Sequence, residues 1–119
     1  MDKVNLEEKF RLIEEYWDPK IVGELNGQMV KIARIQGEFI WHKHEDAEEF
    51  FYLYKGKMKI QLREKDIELE EGEFFIVPRG VEHKPVAEEE AWIVMFEPAG
   101  TLNTGNIQSD YTRESLDRI

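Results

Sequence analysis

The chain has three histidines, and two of them stand two apart in His42-Lys43-His44. In an extended strand, residues i and i+2 share a face, so both imidazoles would project together while Trp41 and Lys43 point the other way. Two nitrogens that converge without a loop folding back are a natural start for a metal site. Taken alone, a His-x-His pair is more often incidental, because surface histidines are common. The next residues strengthen the case for a site: Glu48-Glu49 come immediately ahead of the run Phe50 to Tyr54. A carboxylate aimed into an apolar interior needs a cation or a donor. Strand alternation sends one of the pair inward. If Phe51 and Leu53 face the core, Glu49 joins them and Glu48 faces solvent; a slip of one residue exchanges the two. The third histidine, His83, lies just beyond a Pro78-Arg79-Gly80 turn. Closure of a barrel would bring its strand beside that of His44. With no cysteine in the chain, thiolate sites, thiol nucleophiles and iron–sulfur clusters are excluded, and any metal must be held by nitrogen and oxygen.

The elements that must position these residues are mostly short strands. Asn5 and Glu8 form a helix start, and Leu6, Phe10 and Ile13 recur at helical spacing, predicting a helix over about residues 5–16 that stops before Pro19. Strands are expected at Ile21 to Leu25 and Gln28 to Ile35 around Asn26-Gly27, a strong hairpin signal, and then at Glu38 to His44. Further strands are expected at Phe50 to Tyr54, Met58 to Leu62, Ile67 to Glu70, Phe74 to Val77, Lys84 to Val86 and Ala91 to Phe96. Many short strands punctuated by Gly and Pro indicate an all-β sandwich or barrel, here over about residues 20–97. The tail 98–119 reads as a loop, with room for a helical turn at Ser115 to Ile119. At 119 residues the whole chain is expected to be a single domain. Two strands are apolar on both faces: Phe50, Tyr52 and Tyr54 oppose Phe51 and Leu53, while Trp92, Val94 and Phe96 oppose Ile93 and Met95. So much outward apolar surface must be covered by the N-terminal helix or by a second subunit, and a homodimer is expected.

The net charge is −10, with acidic runs such as Glu45-Asp46-Ala47-Glu48-Glu49 and Glu88-Glu89-Glu90. Such a surface repels phosphate backbones and anionic lipid, so neither nucleic acid nor membrane is an expected partner. The charged opening lacks a signal-peptide core, and no segment approaches the roughly 20 apolar residues that span a bilayer. The expected location is the cytoplasm.

The run Gly37…His42-Lys43-His44, four residues, Glu49, six residues, Gly56 resembles the first motif of the cupin superfamily. Gly72, five residues, Pro78-x-Gly80, two residues, His83 resembles the second. The resemblance runs over roughly residues 30–97, and every histidine falls on a motif position. It is to the small single-domain cupins of the second conserved-barrel type. There are two departures. Gly37 lies one residue closer to His42 than is usual, and Ala87 stands where the second motif often carries Asn, a position that is not a ligand. The resemblance implies an all-β fold, the double-stranded β-helix or jelly-roll barrel, with a short N-terminal helix added here. It also implies one divalent transition metal (Mn, Fe, Co, Ni, Cu or Zn) held by His42, His44, Glu49 and His83.

Four protein ligands on a six-coordinate ion leave two positions for water or substrate. Relatives of this type include isomerases and epimerases of sugars, dioxygenases and non-catalytic binding proteins, and fold does not choose among them. The expected function is that of a metal-dependent enzyme on a small sugar-like or oxygenated metabolite, of isomerase, epimerase or dioxygenase type. The alternative is a metal-dependent binding or sensing domain for a small-molecule ligand. Arg79 and Lys84 are candidate contacts for an anionic group, although solvated surface charge is their default reading. Phe51, Met58, Ile60 and Met95 are expected to line the interior. No catalytic acid–base residue, phosphate loop or organic-cofactor fingerprint is legible.

Overall fold

A computed structural model describes residues 2–119. It comprises one helix, α1 (Leu6–Arg11), and seven strands: β1 (Lys20–Leu25), β2 (Gln28–Glu38), β3 (Glu49–Lys55), β4 (Lys57–Leu62), β5 (Asp66–Glu70), β6 (Phe74–Val77) and β7 (His83–Pro98). Every ladder is antiparallel, in the order β1-β2-β7-β3-β6, with β4 joined to both β7 and β5. The long β7 makes this a jelly-roll barrel: Trp92 to Phe96 pair with β3 while His83 to Val86 pair with β4. Its other edge follows β2, with a register jump from Ile35↔Ala91 to Gly37↔Ala87. At that corner Gly37 takes φ +85°, a conformation glycine adopts without strain. The expected pair of strands around Glu88-Glu89-Glu90 is therefore one bent strand. Asn26 and Gly27 both have positive φ, as the tight hairpin requires.

Three expectations are corrected. The helix ends at Arg11 instead of running on to about residue 16, because tertiary partners capture the next backbone groups. The Ile13 carbonyl accepts from Arg34 Nη1 at 2.7 Å, and the Trp17 N–H donates to the Arg34 carbonyl at 3.0 Å. Residues 39–48 form no regular strand; beyond Glu38 the chain keeps the bond from the Phe39 N–H to the Pro85 carbonyl and an isolated bridge between His42 and His83. Ser115 to Ile119 is not helical, because this stretch lies along β1: the Ile21 N–H donates to the Asp117 carbonyl at 2.9 Å, and the Ile21 carbonyl accepts from the Ile119 N–H at 3.0 Å. Among the described residues, no helix is long and apolar enough to cross a membrane.

The interior is filled by Ala33, Ile35, Leu53, Met58, Ile60 and Ile93 with their neighbours. A second cluster lies outside the barrel wall. There Phe10 and Ile13 of the N-terminal segment cover Ile32, Trp92 and Val94, flanked by Tyr52 and Tyr54. Much of the second apolar face is thus covered from within the chain. Phe74 and Ile76 remain 57% and 45% exposed.

The N-terminal segment is also clamped by Glu90. Its carboxylate takes two bonds from Arg34 at 2.9 Å, one from Trp92 Nε1 at 2.7 Å and one from the Tyr16 hydroxyl at 2.8 Å. Arg34, against the opposing effect of partial burial, holds the Glu90 carboxyl down at about 2 from the ordinary 4.5. A carboxyl depressed on folding stabilises the fold above its unfolded pKa, and that contribution fades as pH falls from about 4.5 to 2. Glu90→Gln is expected to cost about 1–2 kcal/mol at neutral pH and to lack this part of the acid dependence, as denaturant melts at pH 7 and pH 3 would show.

Candidate metal centre

His42 and His83, far apart in sequence, are joined by a two-bond antiparallel bridge: the His42 N–H donates to the His83 carbonyl at 3.0 Å and the His83 N–H returns the bond at 2.9 Å. That bridge sets their rings 4.2 Å apart. His44 follows on the same side, and its carbonyl accepts from the Gly80 N–H in the Pro78-x-Gly80 turn at 2.9 Å. The i, i+2 logic therefore holds for His42 and His44, although no continuous strand carries them. Glu49 opens β3 facing inward, whereas Glu48 is exposed, so the open choice between them falls to Glu49. All four candidates are buried, and one ligand atom from each lies within 4.8 Å of the others.

The tautomers favour a cation. His42 Nδ1 donates to the Ile40 carbonyl and His83 Nδ1 to the Val81 carbonyl, each at 2.9 Å, which leaves both Nε2 lone pairs facing the centre. His83 Nε2 then stands 3.1 Å from Glu49 Oε1. His44 Nε2 lies 3.2 Å from the same oxygen yet off the line that a hydrogen bond needs. Lone pairs facing lone pairs in a buried site require a shared cation, either a proton or a metal. Burial, helped by the neighbouring His83, pulls His42 down to about 4, so it is neutral and free to ligate at pH 7. Burial alone would push the Glu49 carboxyl up; a cation shared with the His44 and His83 nitrogens, with Glu97 adding to it, outweighs burial and holds the group well below its ordinary value. Three imidazoles and a carboxylate fit a divalent transition ion.

A small cavity of about 30 Å³, room for about two waters, adjoins this cluster and is lined by Trp17, Lys31, Phe39, His42, Glu49 and Glu97 among others. Phe51 and Met95 line it as expected, while Met58 and Ile60 pack in the core away from it. Neither expected anion contact reaches it. Arg79 is exposed, and Lys84 lies outside the barrel, pairing with Glu38 beside Trp41. Sequence reasoning missed Lys31 and Glu97, which are 3% and 2% exposed. Alternation held the signal: Lys31 shares parity with Ala33 and Ile35 on β2, and Glu97 with Ile93 and Met95 on β7. Burial, and then the negative charge of Glu49 against it, push the Glu97 carboxyl well above the carboxylate range, with Lys31 opposing.

The C-terminal segment packs beside the cavity, with Asn103 in its lining. Asn106 and Lys43 exchange bonds at 3.0 and 3.1 Å, and Tyr111 packs on Phe39 and Trp17. Gly105 lies so close that a Cβ there would collide with the Lys43 carbonyl.

The sequence model of a family described as Cupin domain matches residues 29–97. A cupin-2 domain containing protein from Shewanella frigidimarina NCIMB 400 has a similar crystal structure, with TM-score 0.79 and 40% identity over 80% of this chain and 93% of that one. The protein NMB1881 from Neisseria meningitidis aligns with TM-score 0.75 and 26% identity over 82% of this chain and 100% of that one. The uncharacterized protein YdbB of Bacillus subtilis (strain 168) is 30% identical over 64 residues, 53% of this chain and 57% of YdbB, so the match spans little more than half of that relative.

Proposed function

We propose that this chain, which belongs to the cupin family, holds one divalent transition metal (Mn, Fe, Co, Ni, Cu or Zn) on His42, His44, Glu49 and His83, and acts as an enzyme on a small sugar-like or oxygenated metabolite. The observation that carries the reading is the buried quartet whose ligand atoms lie within 4.8 Å of one another. A bound ion would supply Lewis-acid polarisation of a ligand oxygen or, if redox-active, oxygen chemistry. The chain's own residues do the rest. Ile40 and Val81 fix the two imidazole tautomers, Phe39, Phe51 and Met95 exclude water, and Glu97 places a second carboxyl at the cavity. That second carboxyl favours isomerase, epimerase or dioxygenase chemistry over passive binding. The small size of the cavity, about 30 Å³, favours the other reading, a metal-dependent binding or sensing domain.

A panel of small hydroxy-carbonyl compounds, followed by NMR with metal-loaded protein in air and under nitrogen, separates the two. Conversion that disappears in His83→Ala supports the enzyme. Line broadening without conversion supports the binding domain, and neither effect with any compound contradicts both.

We also propose a homodimer built on the uncovered face, where Phe74 and Ile76 of edge strand β6 adjoin the half-buried Phe50 of β3. A twofold axis would set this uncharged patch against its own copy. Light scattering is expected to give about twice the chain mass for the wild type and a monomer for Phe74→Glu/Ile76→Lys. A monomeric wild type at high micromolar concentration would remove the proposal.

A further inference from the structure

The segment His42-Lys43-His44 lies outside every regular strand, so its backbone groups need partners from elsewhere. In extended backbone, successive residues turn their N–H and C=O groups to opposite edges. One edge is held from the second motif: His42 exchanges both bonds with His83, and the His44 carbonyl accepts from the Gly80 N–H. Lys43 faces the other edge, and there the C-terminal segment takes the place of a strand. The Lys43 N–H donates to Asn106 Oδ1 at 3.0 Å, and the Asn106 N–H donates to the Lys43 carbonyl at 3.1 Å. The approach is close. A Cβ at Gly105 would collide with the Lys43 carbonyl oxygen and meet Cδ2 of the His42 ring at 3.2 Å, and Gly105 has φ +57°. Only glycine fits there without strain.

The loop that presents Asn106 is braced from within. Asn103 ties its two ends, donating from Nδ2 to the Tyr111 carbonyl at 2.8 Å and accepting at Oδ1 from the Arg113 N–H at 2.9 Å. The fully buried Thr104 and Thr112 share a hydroxyl bond at 2.7 Å. Tyr111 packs on Phe39 and Trp17, and Arg113 pairs with Asp18. A compact loop whose ends are tied in this way is a fixed support. Asn106 is itself exposed, so its side-chain bond is worth about 1 kcal/mol of stability at most. Its place between two candidate ligands gives it a second use. Losing the groups that orient metal ligands typically weakens metal binding about 10–100-fold.

We propose that Asn106 is a positioning residue of the metal centre: by holding the backbone of Lys43 it sets His42 and His44 toward the ion. The inference rests on the proposed binding of metal by the quartet. The test compares wild type, Asn106→Ala and Asn106→Asp in Zn²⁺ affinity, by competition with a chromophoric chelator, and in the visible bands of the Co²⁺-loaded proteins. Exchange of the Lys43 amide is followed by NMR without metal. Asn106→Ala lacks the acceptor. It is expected to melt within about 4 °C of wild type when metal-free, to lose about tenfold in Zn²⁺ affinity and to shift the Co²⁺ bands. Its Lys43 amide should exchange about tenfold faster. Asn106→Asp keeps an oxygen acceptor, and is expected to bind Zn²⁺ within about threefold of wild type with unshifted Co²⁺ bands.

Wild-type affinity and Co²⁺ bands in Asn106→Ala would overturn the positioning role. So would a loss in Asn106→Asp as large as that in Asn106→Ala, because the acceptor would then not be what matters. A wild type that takes up no zinc overturns the metal-binding reading and this role with it. Slow exchange at its Lys43 amide would then still register the contact, which separates that failure from the other two.

Discussion

Replacing His83 with alanine is expected to abolish stabilisation of this protein by divalent metal. His83 is fully buried and central to the cluster, 4.2 Å ring to ring from His42 and 3.1 Å from the Glu49 carboxylate. A ligand that binds only the folded state stabilises it by about 2.7 kcal/mol when present at about 100 times its dissociation constant. For a chain of this length each kcal/mol moves the midpoint by about 4 °C, so the wild type should gain about 10 °C on addition of the right ion. His83→Ala should melt at the same temperature with and without metal. Thermal scans against a series of Mn, Fe, Co, Ni, Cu and Zn salts check this and show which ion the site prefers. An equal upward shift in wild type and variant would place the metal elsewhere.

The second large effect concerns the fold. Phe10→Ala should cost about 3–5 kcal/mol, the range for truncating a fully buried aromatic, and lower the melting midpoint by about 12–20 °C. Phe10 is completely buried and stacks on Trp92 at 4.9 Å and on Tyr54 at 5.2 Å. Its removal leaves a void and uncovers Ile32 and Val94 on the barrel's outer wall. Circular dichroism melts with dye binding to exposed apolar surface would register both consequences. A loss below about 1 kcal/mol, within the range of ordinary surface changes, would mean that something other than the helix covers that wall.

Much of the site was legible because it depends on local rules. The spacing of His42 and His44, the alternation that turns Glu49 inward and Glu48 outward, and the Pro78-x-Gly80 turn ahead of His83 are short-range features. Their resemblance to two known motifs ties them together. The parts that were not legible depend on contacts between distant residues. The helix stops at Arg11 because Arg34, on β2, takes the Ile13 carbonyl. β7 remains one strand because the acidic run Glu88 to Glu90 bulges at a barrel corner instead of ending the ladder. Lys31 and Glu97 read as surface charges by composition, and only their parity with apolar neighbours places them inside. The packing of Tyr111 on Phe39 and of Gly105 on Lys43 has no sequence signature, since the tail carries no regular element.

The most direct test of the metal-binding claim is elemental analysis of the purified protein beside His42→Ala/His83→Ala. The site geometry predicts about one transition-metal ion per chain in the wild type and none in the variant. A wild type that stays metal-free after gentle purification and reloading would contradict it, and the histidine cluster would then be an acid–base or ligand-binding site in the same barrel.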